Sequence, residues 1–280
     1  MSSAPAASGD DAGTYGPAFF DKQAQASHRS AGVILPVVFD LLECTSVVDV
    51  GCGVGPWLKA AADRGIDEYL GVDGAWVPTD QLAIPAGRFH AHDLRQPLHL
   101  GREFDLAVCV EVAEHLPADA AATLVGTLTR LAPVVLFSAA VPDQGGDGHI
   151  NEQWPAYWAE LFATHGYLAH DCVRLPVWHD ERADWWYRQN VLLYADRARR
   201  PDGLREPVEL PPALIHPGMV HAILTRAPAP AGAPADLRHA CDVPRSRGRA
   251  GGLLAQLRAA GRAGWHRVRP IVHRSRGADR

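Results

Sequence analysis

Residues 47–57, with the sequence VVDVGCGVGPW, constrain the fold more than any other stretch of this 280-residue chain. The stretch starts with three valines and an aspartate, a pattern typical of a buried strand. Gly51, Gly53 and Gly55 follow, and each glycine allows a tight turn or a close approach to a ligand because it has no Cβ. Pro56 suits the first turn of a helix, where its missing N–H is not needed. The stretch therefore predicts a strand, a glycine-rich loop and a helix in direct succession.

A second acidic strand end supports this interpretation. Residues 68–73 (EYLGVD) form another short apolar run that ends in Asp73. An acid about 20 residues beyond a glycine loop is where nucleotide-binding α/β folds place their ribose ligand. A dinucleotide-binding G-x-G-x-x-G loop would need its last glycine at Pro56, so the chain departs from that pattern.

Alternating strands and helices continue along the chain and predict an α/β fold with a mostly parallel central sheet flanked by helices. Further strands are predicted over residues 88–94, 104–110, 132–139, 167–174 and 185–194. Helices are predicted over residues 16–42, 56–65, 112–130 and 152–165. Ligands of such sheets bind beyond the carboxyl ends of the strands, where the glycine loop and several acids fall.

The string VDVGCGVG resembles the first motif of class I S-adenosylmethionine (SAM)-dependent methyltransferases. The resemblance implies a Rossmann-like class I methyltransferase fold that binds SAM. It also implies that Asp73 accepts hydrogen bonds from the ribose hydroxyls, and that Asp93 meets the adenine amino group with Leu94 packed on the ring. Asp49 and the glycine loop would hold the methionine end of SAM.

Candidate catalytic residues follow the strand over 104–110. A helix starting at Glu111 would direct Glu111, Glu114 and His115 to one side, since they are spaced at i, i+3 and i+4. His149, in the loop after the next strand, is expected at the same edge of the sheet. Two carboxylates and two imidazoles can hold one divalent ion, Mg²⁺ or another metal, with positions left for substrate oxygens. Without a metal, His149 or His115 is the candidate general base.

The E-x-x-E-H run resembles the metal motif of two methyltransferase groups. One group methylates catechols in the ubiquinone pathway, and the other methylates the 2′-hydroxyl at the 3′ end of small RNAs. In class I members that carry a similar run and bind no metal, the acid at Glu111 caps a helix and faces the cofactor. The sequence leaves both roles open for Glu111.

The segment 149–190 resembles bacterial methyltransferases that have an H-I-N-E-Q-W-P-x-Y-W pattern followed by W-W-Y-R-Q-N. These enzymes are associated with surface-glycan and secondary-metabolite pathways. Aromatic side chains here either stack on a sugar or planar ring or pack inside the domain. Arg188, Gln189 and Asn190 are candidates for hydrogen bonds to the acceptor.

Composition divides the chain unevenly. Residues 236–280 hold 11 Arg and 3 Asp, a net charge of +8. The preceding residues hold 16 basic and 29 acidic residues, a net charge of −13. We therefore expect a disordered N-terminus (1–14), a SAM-dependent methyltransferase domain (15–196), a Pro-rich extension and linker (197–235) and a basic tail (236–280). The tail is a candidate for weak contact with a membrane surface or a protein.

The start of the chain lacks the basic and apolar segments of a secretory signal, and its cysteines show no C-x-x-C pairing. Both features predict a cytoplasmic protein with reduced thiols. The longest nearly apolar run, Leu131 to Val141, is too short to span a bilayer, so no transmembrane segment is expected.

The leading functional hypothesis is O-methylation of a small hydroxylated molecule, such as a sugar or a natural-product intermediate. The alternatives are RNA 2′-O-methylation and a SAM-binding protein without catalysis. The acidic body argues against a nucleic-acid partner, because binding to a phosphate backbone needs a positive surface.

Overall fold

The computed structural model describes the backbone of residues 17–225 and the side chains from residue 24 on. The predicted N-terminus, the linker segment 227–235 and the basic tail lie outside these residues. The described residues belong to one compact unit.

The described unit is built on one sheet of seven strands. These are β1 (Ser46–Val50), β2 (Glu68–Asp73), β3 (Phe89–Ala91), β4 (Leu106–Val110), β5 (Val134–Ser138), β6 (Tyr167–His170) and β7 (Leu192–Asp196). Their order across the sheet is β3-β2-β1-β4-β5-β7-β6. All neighbours are parallel except β7, which pairs antiparallel with both β5 and β6. The predicted mostly parallel sheet is therefore confirmed.

Seven α-helices accompany these strands in the described residues. They are α1 (Pro17–Phe39), α2 (Pro56–Ala62), α3 (Ala121–Leu131), α4 (Pro155–Ala163), α5 (Arg174–Val177), α6 (Trp185–Asn190) and α7 (Pro217–Thr225). Helices α1, α2, α5 and α6 contribute to one apolar cluster, and α3 and α4 contribute to another. Alternate residues of the central strands serve the two clusters. In β4, for example, Leu106 and Val108 join one cluster while Ala107 and Cys109 join the other.

Two predicted elements were wrong. The aromatic run at residues 185–190 is helix α6, and the last strand begins later, at Leu192. Aromatic residues favour strands only where a sheet offers them neighbours. Here the ring of Tyr187 packs edge-on against Trp57 of α2, 5.4 Å between centroids.

The predicted helix over residues 112–130 is also interrupted. Only a short 3-10 turn (Ala113–His115) follows Glu111, a second turn covers Ala118–Ala120, and α3 starts at Ala121. Pro117 explains the break, because the residue before a proline is disfavoured in the α conformation.

Part of the predicted extension packs against β6 and α5. The N–H of Val208 donates to the carbonyl of Ala169 in β6 at 2.8 Å. The fully buried guanidinium of Arg174 donates to the carbonyl of Pro212 at 3.0 Å. Residues 201–225 are thus tied to the elements that surround the site described below.

The sheet order changes direction between β1 and β4, since the chain moves outward to β3 on one side and to β5 on the other. Open α/β sheets bind ligands at such a switch point, beyond the carboxyl ends of the strands. The glycine loop leaves β1 and Glu111 leaves β4 at this point. No helix in the described part of the chain is long and apolar enough to cross a membrane.

Candidate active site

The glycine loop combines one tightly packed position with one open position. Gly51, Gly53 and Gly55 all have positive φ, at 85°, 53° and 85°. A Cβ on Gly51 would lie 2.4 Å from Cγ2 of Val112, so this glycine is required by packing. A Cβ on Gly53 would meet no atom within 4 Å. The middle of the loop therefore faces space that a ligand can enter.

Two buried aspartates lie beside this loop. Asp73 accepts hydrogen bonds from the N–H groups of Gly53 (2.7 Å) and Gly74 (2.6 Å), one on each carboxylate oxygen. Asp49 is 2% exposed, and its Oδ2 atom has no hydrogen-bond partner in the described residues. Burial raises the pKa of Asp49 well above its usual value, and the neighbouring Asp73 raises it further. An acceptor of this kind suits a ligand that carries a positive charge.

The predicted adenine contact is more exposed. Asp93 follows β3, and the guanidinium of Arg95 binds both of its carboxylate oxygens, at 2.7 Å from Nη2 to Oδ2. Hydrogen bonds from Arg95 lower the pKa of Asp93 to about 2. Leu94 packs against the cluster that contains α3 and α4. The role of both residues toward adenine stays a prediction.

Glu111 occupies a strained position directly after β4. Its φ is +54°, a left-handed conformation that costs a non-glycine residue about 1–3 kcal/mol. Its N–H donates to both the carbonyl and the hydroxyl of Ser138, at 3.1 Å each. The helix predicted to start at Glu111 was therefore wrong, and a strained turn directs this carboxylate instead.

Glu114 is the most unusual acid of the site. It is 0% exposed, and neither carboxylate oxygen makes a well-formed hydrogen bond among the described residues, although the backbone of Ala140 and the carboxyl of Glu111 interact with it. Burial raises the pKa of Glu114 well above its usual value, and the charge of the adjacent Glu111 raises it further. Burial also raises the pKa of Glu111, but hydrogen bonds from Asn190, Ser138 and Gln144 oppose that shift. Glu111 is thus the better-stabilised anion of the pair.

Two histidines complete the cluster. Ligand atoms of Glu114, His115 and His149 all lie within 4.8 Å of one another. The two imidazole rings meet edge to face at 4.9 Å between centroids. Burial lowers the pKa of His115, and the charge of His149 lowers it further. The predicted four-residue group is therefore close in space: three residues converge directly, and Glu111 lies beside Glu114.

Glu152, which the sequence reasoning did not select, orients His149. Its Oε1 atom lies 2.9 Å from Nδ1 of His149 and accepts the N–H of Gly145 at 2.6 Å. A carboxylate on one ring nitrogen fixes the orientation of the imidazole and leaves the other nitrogen for chemistry. The i, i+3 spacing of His149 and Glu152 was the sequence signal for this pair.

The sequence did not indicate the group of buried amides beside Glu111, which consists of Gln144, Gln189 and Asn190. The sequence favoured Gln189 and Asn190 as acceptor contacts, but all three side chains are buried and hydrogen-bonded near Glu111. No spacing rule could find this arrangement, since Glu111 and Asn190 are 79 residues apart.

The residues beyond β1 and β2 fit SAM. The ligand has a ribose diol and positive charges on its sulfonium and ammonium groups, which favour carboxylate acceptors. The unpartnered Oδ2 of Asp49, the buried Asp73 and the open face of Gly53 offer such acceptors and the space for a ligand to approach them.

Comparisons with known proteins agree with this fold. The chain has the Rossmann-like fold of class I SAM-dependent methyltransferases. It matches the methyltransferase domain family over residues 19–175, more than half of its length, and belongs to that family. Residues 19–175 are therefore a methyltransferase domain, for which SAM is the supported methyl donor.

Solved structures share the fold at low sequence identity. The sugar N-methyltransferase KedS8 from Streptoalloteichus sp. is 18% identical, with a TM-score of 0.51 over 70% of this chain and 98% of that one. DesVI from Streptomyces venezuelae is 22% identical, with a TM-score of 0.39 over 47% of this chain and 58% of that one. The chain thus spans little more than half the length of DesVI. The methyltransferase domain of bacterial CtHen1-C is 16% identical, with a TM-score of 0.46 over 60% and 98% of the two chains. No curated protein matches the chain.

Proposed function

We propose that this enzyme methylates a hydroxyl oxygen of a small acceptor, such as a sugar or a natural-product intermediate, with the help of a divalent metal. The observation that carries the proposal is Glu114. A fully buried carboxyl group that makes no well-formed hydrogen bond is costly, and burial beside a second carboxyl adds to that cost. A bound cation would offset both penalties.

The residues around Glu114 fit such a cation. Carboxylates and imidazoles are common ligands of divalent transition metals, and carboxylates also bind Mg²⁺. Glu114, His115 and His149 would hold the ion, with Glu111 as a fourth ligand. When bound, the metal would lower the pKa of an acceptor hydroxyl.

The proton of the acceptor hydroxyl needs a destination as the new C–O bond forms. SAM, when bound, supplies a methyl group on a positively charged sulfur, and the sulfur keeps the electron pair of the broken C–S bond. A histidine nitrogen that binds the ion cannot also accept a proton, so with metal bound the hydroxyl proton passes to water. Without metal, His149 is the first candidate to accept it, because Glu152 holds its Nδ1 side in place. His115 is the second candidate, since its lowered pKa keeps it neutral and able to accept a proton near neutral pH.

The charge of the site favours a neutral or cationic acceptor. Asp49, Asp73, Glu111, Glu114 and Glu152 all lie at the carboxyl edge of the sheet, where an RNA backbone would be repelled. RNA 2′-O-methylation is therefore the weaker candidate. A metal would still allow two adjacent hydroxyls of a catechol or diol to approach this edge.

Calorimetry tests the proposal. SAM is titrated into the full chain first, and Mn²⁺ or Mg²⁺ is then titrated into the wild type and into Glu114→Gln. We expect a metal-binding heat in the wild type that is lost in the variant, while SAM binds both proteins. Glu160→Gln, an exposed acid on α4, is the matched control and should bind metal like the wild type.

Turnover assays with catechols and vicinal diols complete the test. We expect a chelator to abolish methylation and His149→Ala, which loses a metal ligand, to lower kcat sharply. His165→Ala, an exposed histidine, should leave kcat unchanged. Metal-free protein that turns over at the wild-type rate would overturn the metal part of the proposal. Methylation of amines alone would overturn O-methylation.

A further inference from the structure

Three buried amides surround the carboxylate of Glu111, and we call them the amide clamp: Gln144, Gln189 and Asn190. Nδ2 of Asn190 donates to Oε1 of Glu111 at 3.1 Å, and Nε2 of Gln144 donates to Oε2 at 3.1 Å. Each carboxylate oxygen is thus held by a different element, α6 on one side and the loop after β5 on the other.

The amides are also bonded to one another. Oε1 of Gln144 accepts from Nδ2 of Asn190 at 2.9 Å, and Oδ1 of Asn190 accepts from Nε2 of Gln189 at 3.0 Å. Their exposure is 4%, 1% and 5% for Gln144, Gln189 and Asn190. Burial of this many polar groups is tolerated only when they are hydrogen-bonded, so the geometry of the clamp is tightly specified.

Gln189, the member of the clamp that does not bond Glu111, is hydrogen-bonded to the extension. Oε1 of Gln189 accepts the N–H of His216 at 2.7 Å, and the carbonyl of Gln189 lies 3.4 Å from Nη1 of Arg174. The 211–216 segment therefore restrains Gln189, which in turn limits the positions open to Asn190.

The backbone of Glu111 is restrained as firmly as its side chain. Its left-handed φ of +54° is held by two hydrogen bonds to Ser138. Strain of this kind persists only where the surroundings determine the conformation, and it concentrates at functional sites. Backbone and amides together aim the carboxylate at Glu114.

We propose that Gln144 and Asn190 are positioning residues that set the metal affinity of the enzyme by holding Glu111 beside Glu114. This inference rests on the metal site of the proposed function. Partners that hold a metal ligand fix its orientation before the ion arrives, so less ordering accompanies binding. Holding Glu111 in place, and not direct contact with the acceptor, is then the role of Asn190 at the end of α6.

The test uses substitutions that keep side-chain shape and remove the amide. Asn190→Leu and Gln144→Met each delete one donor to Glu111. The Kd for Mn²⁺ alone is measured by calorimetry on the full chain. We expect each variant to weaken Mn²⁺ binding by about 10- to 100-fold, the usual effect of removing a residue that supports a metal ligand.

Two further readouts separate positioning from a loss of structure. The Kd for SAM should stay unchanged in both variants, since the N–H groups of Gly53 and Gly74 hold Asp73, whereas the amides of Gln144 and Asn190 donate to Glu111. Val191→Ala, a fully buried apolar position next to Asn190, is the control for lost stability. It should lower the thermal midpoint and leave Mn²⁺ affinity at the wild-type level. If Asn190→Leu does not fold, Gln144→Met carries the test.

The outcomes distinguish this inference from the proposed function. Wild-type Mn²⁺ affinity in both folded variants would overturn the role of the clamp and leave the metal site intact. A wild type that gives no metal-binding heat would overturn the metal site and the clamp's role together. Weaker Mn²⁺ binding in both variants, with unchanged SAM binding, would support the inference.

Discussion

Acids at the amino end and at the carboxyl end of the sheet differ in their hydrogen bonding and in the direction of their pKa shifts. At the amino end, Oδ2 of Asp105 accepts hydrogen bonds from the N–H and hydroxyl groups of both Thr45 and Ser46, all at 2.8–2.9 Å. These bonds lower the pKa of Asp105 despite its partial burial. At the carboxyl end, the carboxyl group of Glu114 makes no well-formed hydrogen bond among the described residues, and burial raises its pKa.

Asp105 therefore stabilises the fold, whereas the buried carboxyl groups of Glu114 and Asp49 destabilise it. Asp105 ties β1 to β4 with charge-assisted hydrogen bonds, and its anionic form is stabilised in the folded state. Glu114 and Asp49 are buried at a cost, which a protein retains where a ligand needs the group. The carboxyl end is therefore the functional end on energetic grounds as well as on topological ones.

The largest expected effect is on stability at the amino end. Asp105→Ala leaves four donors without their acceptor, and hydrogen bonds to a charged group contribute about 1.5–3 kcal/mol each when removed singly. We expect a loss of about 3 kcal/mol in the free energy of unfolding, measured by urea denaturation at pH 7. SAM affinity should stay at the wild-type value. Loss of SAM binding with full stability would contradict the assignment of the two ends.

The second effect is on binding at the carboxyl end. The resemblance to SAM-dependent methyltransferases implies that the carboxylate of Asp73 accepts hydrogen bonds from the ribose hydroxyls. Asp73→Asn removes the charge of that carboxylate. We expect the Kd for SAM to rise by about 10- to 100-fold, because a charge-assisted hydrogen bond contributes about 1.5–3 kcal/mol. Asp105→Asn is the matched control, and calorimetry should give it the wild-type Kd. Equal SAM binding by Asp73→Asn would remove Asp73 from the cofactor site.

A third, smaller effect is the pH dependence of stability. The pKa of Asp105 is lower in the folded state, so its contribution is present above the unfolded value of about 3.9 and is lost as the pH falls through the folded pKa. The stability difference between the wild type and Asp105→Asn should therefore shrink as the pH falls below about 4. Urea denaturation at a series of pH values measures this, and a difference that grows on acidification would be the contrary result.

The sequence predicted the parts of the molecule that depend on local pattern. Short apolar runs ending in Asp49 and Asp73 marked β1 and β2, and the glycines between them marked the loop. Parallel strands then brought Glu111 and His149 to one edge, because their carboxyl ends share it. The interrupted helix was also visible in principle, since Pro117 excludes an α conformation at Leu116.

Long-range packing accounts for the parts that were missed. Trp185, Trp186 and Tyr187 favour a strand by composition, but contacts with α2 and the extension keep them helical. The amide clamp joins residues from the loop after β5 and from α6, and no local pattern links these to Glu111. The extension beyond residue 197 was predicted from its prolines as a linker region, while its contacts with Ala169 and Arg174 are visible only in the fold.

The central claim is that Glu114 is buried at a cost which a bound cation offsets. Urea denaturation of the wild type and Glu114→Gln at pH 7.5, with and without Mn²⁺, tests it directly. The folded pKa of Glu114 is raised, so its ionised form destabilises the metal-free protein increasingly as the pH rises above the unfolded value of about 4.3. We predict that Glu114→Gln is more stable than the wild type by about 1 kcal/mol without Mn²⁺ and less stable with it, since the ion stabilises only the protein that binds it. A variant that is less stable without metal, or that Mn²⁺ stabilises as much as the wild type, would contradict the account.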